Sequence, residues 1–529
     1  MNLEPIEALT HGRNNLSTKF HCMSWPGMIG IICSEKKKEK ESHAANSPDR
    51  LQEMHSHILV LGGLLATAKG ATNTSWVDVK DCLRNSKVPF DEHGSVDWIR
   101  DAAAYNVRLP IFTPAAIAVP TTIPQIQAAV ICGNQSHVKV SAKAGGHSYT
   151  GGGFGGESGH LIVQLDRMVG ASGHMTSGGY GMSSHTHGLA LDFVKSATVV
   201  LANGSAVETS ATENPDLFWA IRGAGPNFGI VVSWRLQTFE TPVNLTWFRI
   251  TLDWNRNTAA GYLGAVEKYI NTDMPAELNF RIADYDKGHP FAEGLFYGND
   301  EQMNSTIQPF LKISNGNLMT HHQVNWIDAI KHYSVDNTFN TTANNIVVDY
   351  TEPGPPDNFF AKSLTLNGLN GAAAKAFVDY WYGTANKVER KWFFQIDAAG
   401  GPNSAYRNPP GNNSSATSSF AHRDKTFIIQ FYDAAPAGNL AYPPDGLSFL
   451  NGWVDTVTAA LGNSSSSWGA YANYPDPTLG RDEAQRLYYG ASLERLRELK
   501  LKYDPGELFS FPQSIKPSEK QPAGSRRRH

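Results

Sequence analysis

Cysteine is scarce in this chain, four residues in 529, and charge is close to balanced. A net charge of −4 supplies no field for nucleic acid, and Arg526-Arg527-Arg528 is a short basic tail at the end of the sequence. No apolar run reaches the roughly 20 residues needed to cross a bilayer; the longest signal, Ile58-Leu59-Val60-Leu61-Gly62-Gly63-Leu64-Leu65, is far shorter. Internal repeats are absent. There is no G-x-S-x-G elbow, which excludes a recognisable Ser-His-Asp assembly. None of the three glycine-rich clusters is read as a Rossmann dinucleotide site, and none is a G-x-x-x-x-G-K-[ST] loop, so NAD and ATP are not the natural ligands. His185 and His187 form a His-x-His pair with no third ligand at zinc-like spacing, so no metal site is expected.

Glycine, by contrast, is concentrated. Ala144-Gly145-Gly146-His147-Ser148-Tyr149 follows the β-branched run Val138-Lys139-Val140-Ser141 and leads into Gly151-Gly152-Gly153. Such runs let backbone amides approach a bulky anionic ligand and supply positive φ angles. A second cluster holds Gly178 and Gly179, and a third runs from Arg222-Gly223-Ala224-Gly225 through Gly229 into Ile230-Val231-Val232. Three approaches in one region suggest a large nucleotide-like cofactor. An imidazole inside the first, at His147, can attack an electrophilic carbon of such a cofactor, which points to covalent flavin.

Several motifs carry a resemblance. Phe112-Thr113-Pro114, the Gly-Gly-His-Ser-Tyr element, Asp216-Leu217-Phe218-Trp219-Ala220-Ile221-Arg222-Gly223-Ala224-Gly225 and Tyr503-Asp504-Pro505 with Phe511-Pro512-Gln513 resemble the berberine-bridge-enzyme-like branch of the vanillyl-alcohol-oxidase superfamily of FAD-linked oxidases. Ser183-Ser184-His185-Thr186-His187, Phe360-Ala361-Lys362-Ser363 and Trp468-Gly469-Ala470-Tyr471-Ala472-Asn473-Tyr474 are most similar to its fungal gluco- and chitooligosaccharide oxidases.

The resemblance implies an α+β fold. A PCMH-type FAD-binding domain of two subdomains is expected over 73–240. A substrate domain with an antiparallel sheet flanked by helices is expected over 241–466, and a C-terminal return to the FAD domain over 467–517. It implies FAD bound by Gly145, Gly146, Ser148, Gly178, Gly179, Gly229 and Ile230 and linked through His147. It also implies a disulfide between Cys82 and Cys132, and hence an oxidising compartment; Cys22 and Cys33 lie outside it. Longer helices, near 259–271, 372–382 and 482–503, and aromatic-rich strands, near 392–396 and 427–432, mark the second half.

Oxidising an anomeric hydroxyl requires a base for the hydroxyl proton while hydride leaves carbon. The resemblance places Tyr474 as that base and Asp397 as its acceptor. Holding a free tyrosine ionised at neutral pH costs roughly 4 kcal/mol, so concerted transfer to a neighbour is the easier route. Read alone, Tyr474 is a structural aromatic of an Asn-Tyr-Pro loop and Asp397 a turn carboxylate before Gly400-Gly401. Gln395 shares a strand face with Asp397 and is expected to hold sugar hydroxyls, with Gln430 on a matching strand. Tyr149 and Trp392 are either sugar-stacking rings or core; Glu277 is a further substrate contact.

The expected function is a secreted oxidase converting oligosaccharide reducing ends to lactones with oxygen as acceptor, working as a monomer without nucleic-acid or membrane partners. A berberine-bridge-like oxidase of a secondary metabolite and a flavin-poor remnant are the alternatives. The remnant arises because Met168 leads almost at once into Val169-Gly170-Ala171-Ser172-Gly173-His174, omitting a strand pair, a helix and the cysteine that makes a second flavin bond in the family; a skipped exon accounts for this. Residues 1–53 match nothing, 54–72 read as a signal peptide starting at Met54, and 518–529 as a disordered basic tail. Sequons at Asn73, Asn134, Asn203, Asn244, Asn304, Asn340, Asn412 and Asn463 are compatible with secretion.

Overall fold

Short β-branched runs separated by glycine turns build two small sheets, and the longer aromatic strands that follow build one large one. The computed structural model describes residues 74–165, 172–285, 287–333, 356–410, 417–436, 441–462 and 467–519, together with the backbone of five short strands at 6–7, 19–23, 32–35, 339–342 and 345–348. The expected signal segment, the junction after Met168, the end of the basic tail and the sequons at Asn73, Asn412 and Asn463 lie outside the described residues.

In the first sheet β1 (Ala116–Ala118), β2 (Val140–Lys143) and β3 (Leu161–Gln164) run parallel, with β3 in the centre. Helix α1 (Thr74–Asn85) and helix α2 (Ile123–Gln135) cover it. The Thr122 hydroxyl caps α2 by accepting from the Gln125 amide, and Pro124 sits in the first turn, where no N–H is needed. A disulfide joins Cys82 on α1 to Cys132 on α2, the pairing implied by the resemblance.

The second sheet is antiparallel, in the order β5 (Ala206–Ser210), β4 (Val194–Val200), β6 (Ile230–Leu236). Leu217, Phe218 and Ile221 of α3 (Pro215–Ala224) share its core with Leu487, Leu496 and Leu499 from the C-terminal end of the chain.

The large sheet has eight strands. In chain order they are β7 (Leu245–Leu252), β8 (Leu278–Asp284), β9 (Phe291–Phe296), β10 (Gly316–Val324), β11 (Phe359–Leu366), β12 (Trp392–Ala398), β13 (Phe427–Ala434) and β14 (Trp468–Gly469). Their spatial order is β10-β7-β9-β8-β12-β13-β11-β14, antiparallel throughout. One face, with Phe248, Phe280, Phe360, Phe394, Ile396 and Phe431, packs on helices α4 (Ala259–Thr272), α5 (Gly371–Gly383) and α6 (Gly446–Leu461) through Leu263, Phe377, Trp381 and Trp453. Burial of each such side chain contributes about 1.5–3 kcal/mol. Because strand side chains alternate, the opposite face collects Arg281, Glu293, Phe393, Gln395, Asp397 and Gln430.

One expected element is broken. The helix read over 482–503 divides into α7 (Arg481–Tyr489) and α8 (Leu493–Tyr503) at Gly490, whose φ of 42° ends the first helix.

Candidate active site

The loop leaving β2 presents His147. Gly146 (φ 71°) and Gly151 (φ 70°) hold left-handed conformations that place the turn, and a Cβ on Gly146 would come within 2.8 Å of Lys143 Cε. Gly145 has nothing within 4 Å of where its Cβ would stand, so the loop's outer edge is open. Ser148 Oγ accepts from the Gly152 amide at 3.0 Å, so this expected cofactor contact braces its own loop. The His147 ring is half-buried and lies face to face with Tyr105, centroids 3.7 Å apart and planes at 24°.

The second cluster also approaches the site. Gly178 (φ 131°) packs against Phe420 and Tyr471, and the amides of Gly179 and Tyr180 donate to the Tyr471 hydroxyl at 3.0 and 2.9 Å. The third cluster lies at a close approach of two strands. A Cβ on Gly229 would sit 2.6 Å from the Val200 carbonyl, and the Ile230 side chain is fully buried in the core under β1 to β3. The close approach recorded here is of strand β6 to β4.

Gln395 and Gln430 are cross-strand partners on β12 and β13. Gln395 Nε2 donates to Gln430 Oε1 at 3.0 Å and reaches the Tyr474 hydroxyl at 3.5 Å; Gln430 Nε2 donates to the Tyr149 hydroxyl at 3.2 Å. The Tyr149 and Tyr474 rings are near parallel, planes at 10° and centroids 6.1 Å apart. Arg281, opposite Asp397 on β8, donates through Nη1 to Gln395 Oε1 at 3.1 Å and pairs with Glu293 through Nε at 2.7 Å. All four members of the Tyr474–Gln395–Gln430–Tyr149 chain are buried.

Tyr474 comes from a turn whose amide donates to the Tyr471 carbonyl at 2.9 Å. Ser363 Oγ on β11 accepts from the Tyr471 amide at 3.0 Å and donates to the Tyr474 carbonyl at 3.3 Å, which clips both ends of the turn. Two residues on, Asp476 pairs with buried Lys362 at 2.6 Å.

Burial raises the Asp397 carboxyl from its ordinary 3.8 to about 7, with Arg281 pulling it down and Glu293 pushing it up. Its Oδ2 is buried with no hydrogen-bond partner among the described residues. Burial likewise pushes the Tyr474 phenol well above 10, and the neighbouring Asp397 carboxylate adds to this. A buried acceptor with a vacant lone pair beside a buried phenol can take a proton without paired charges reaching water.

Two expected substrate residues are displaced. Trp392 faces the helices and packs edge-on to Trp453 and Phe449, because it is an odd number of residues from Gln395; Phe393 occupies the site face instead, stacked on Tyr432 at 4.7 Å. Glu277 is exposed just before β8, and the carboxylate that faces the site is Glu293. Arg281, Glu293, Phe393, Tyr105 and Tyr471 were missed. Period-two counting from Gln395 finds Phe393; the others depend on cross-strand register and loop packing, which no local pattern reveals. His185 is buried and His187 half-buried, and burial lowers both rings from 6.5 to about 4.

The open edge at Gly145 beside a half-exposed imidazole, and the buried Asp397 Oδ2 without a hydrogen-bond partner among the described residues, would fit a flavin.

Residues 470–516 match the family described as Berberine and berberine like. The chain is 43% identical to a carbohydrate oxidase of Microdochium nivale over 507 residues, covering 87% of this chain and 99% of that protein. Among solved structures it is similar to the xylooligosaccharide oxidase from Myceliophthora thermophila C1 in complex with xylobiose (TM-score 0.78, 40% identity, 84% of this chain and 100% of that one). It is also similar to the glucooligosaccharide oxidase from Acremonium strictum, described with a 6-S-cysteinyl, 8α-N1-histidyl FAD (TM-score 0.77, 35% identity, 83% and 99%).

Proposed function

The chain belongs to the berberine-like family of FAD-linked oxidases, and from that membership we propose that it oxidises the anomeric hydroxyl of oligosaccharides to a lactone, with oxygen reduced to hydrogen peroxide. FAD, when bound, accepts the hydride from the anomeric carbon and passes the electrons to oxygen.

The chain's own residues supply the rest. Tyr474 takes the anomeric hydroxyl proton while Asp397 receives the phenol's proton, so neither group carries a long-lived charge. Gln395 and Gln430 hold sugar hydroxyls, and Tyr149 and Phe393 bound the sugar ring. His147 is the attachment point for FAD. No cysteine follows Cys132, so a second tether of the kind named in the Acremonium strictum enzyme has no donor in the flavin-loop region. The apolar segment 58–65 and the Cys82–Cys132 disulfide support secretion into an oxidising compartment.

The hydrogen-bonded chain from Tyr474 through Gln395 and Gln430 to Tyr149, with Asp397 unpartnered beside it, carries this reading. Tyr474→Phe should lower peroxide release from gluco-, xylo- and chitooligosaccharides by about 10²–10⁴-fold. Full activity in that variant, or turnover of small aromatic secondary metabolites and of no sugar, sinks it.

A further inference from the structure

His147 does not stand alone at the glycine loop. The Tyr105 ring covers one face of the imidazole at 3.7 Å, and Tyr105 itself meets Phe359 of β11 edge-on at 5.7 Å. The backbone around it is fixed from two sides. The Tyr105 carbonyl accepts from the Asp357 amide at 2.9 Å, and the Val107 amide donates back to the Asp357 carbonyl at 3.1 Å. Asn106 Nδ2 donates to the Tyr149 carbonyl at 2.9 Å, inside the histidine loop. The 105–107 segment therefore ties the loop of His147 to the sheet that bears Gln430 and Phe359.

An imidazole nitrogen attacks through a lone pair that lies in the plane of the ring. A partner stacked on the ring face leaves that lone pair untouched and removes rotation about the side-chain torsions. We propose that Tyr105 is the positioning residue for flavin attachment at His147, its ring holding the imidazole plane in place for the attack. This rests on the reading of His147 as the attachment residue.

In the attachment the imidazole nitrogen bonds to the 8α carbon, while one methyl C–H bond and the imidazole N–H bond break. The two hydrogens and their electron pair remain with the flavin until oxygen, the acceptor of the proposed reaction, removes them as hydrogen peroxide.

The test compares the full chain with Tyr105→Phe, Tyr105→Leu and His147→Ala. Each is produced without riboflavin, mixed with FAD, and sampled over time for flavin that stays with the polypeptide after denaturation. Total bound flavin before denaturation is measured in parallel. Tyr105→Phe should attach flavin within twofold of the parent rate, and Tyr105→Leu at least tenfold more slowly while binding the same total. Parent-like attachment in Tyr105→Leu overturns the proposal, as does an equal slowing in Tyr105→Phe, which would assign the effect to the hydroxyl. Should Tyr105→Leu bind no flavin at all, Tyr105→Trp keeps a stacked face and must attach at the parent rate for the proposal to stand. Absence of attachment in the parent overturns the His147 reading itself, a result distinct from the others.

Discussion

Gln395 and Gln430 face each other across β12 and β13, and the Gln395 amide donates to the Gln430 carbonyl oxygen at 3.0 Å. Each amide has a further N–H contact toward a tyrosine, Tyr474 or Tyr149, so the two side chains act as one hydrogen-bonded unit. Removing either leaves the other misaligned. Gln395→Ala and Gln430→Ala should each raise KM, and the double variant should cost less than the sum by about 0.5–1.5 kcal/mol in kcat/KM, measured as a double-mutant cycle.

Asp397 sets the pH response. Acceptance of a proton requires its ionised form, and burial raises it to about 7. Activity should therefore rise with pH through about 7, and that limb of the kcat/KM profile should vanish in Asp397→Asn along with most of the rate. Stability moves the opposite way. A carboxyl whose folded value lies above its unfolded 3.8 contributes stability present below about 4 and lost as pH rises through about 7. Asp397→Asn should thus raise Tm at pH 8 more than at pH 4, by thermal unfolding.

The clip on the Tyr474 turn separates position from fold. Ser363→Ala removes a hydroxyl bonded to both Tyr471 and Tyr474, and should lower kcat about tenfold while reducing stability by only about 1 kcal/mol, read by denaturant unfolding. Lys362→Met breaks a buried ion pair with Asp476 and should instead destabilise the protein by about 3–5 kcal/mol, read by denaturant unfolding.

Trp392 and Phe393 give opposite outcomes one residue apart. Trp392→Ala empties core under the helices and should cost about 3–5 kcal/mol of stability with KM little changed. Phe393→Ala should raise KM with a small change in Tm.

Reduction of the Cys82–Cys132 bridge, which closes a separation of 50 residues, should lower stability by about 2–4 kcal/mol, measured by unfolding with and without reductant.

The glycine loop around His147 and the shared strand face of Gln395 and Asp397 were legible in local composition and alternation, whereas Tyr474 and the role of Asp397 were legible only through the family resemblance, since read alone each is an ordinary loop residue. The alternation also contained the means to choose Phe393 over Trp392, since Gln395 and Asp397 define the site face. Arg281 and Glu293 were hidden because they come from β8 and β9, whose register against β12 is set by the packed sheet. Tyr105 was hidden for a related reason: it reaches His147 through a loop tied to Asp357, a residue more than 250 positions away in the chain. Gly490, a poor helix former, was a visible sign of a break within 482–503, and its positive φ is where the first helix ends.

Anaerobic mixing of the purified flavin-loaded protein with gluco-, xylo- and chitooligosaccharides reads hydride transfer from sugar to flavin apart from the oxygen step. At least one sugar should bleach the yellow flavin band of the parent chain, and Tyr474→Phe, with the same flavin content, should do so at least a hundredfold more slowly. Flavin that no sugar bleaches, or equal bleaching in both proteins, would contradict the proposed sugar oxidation.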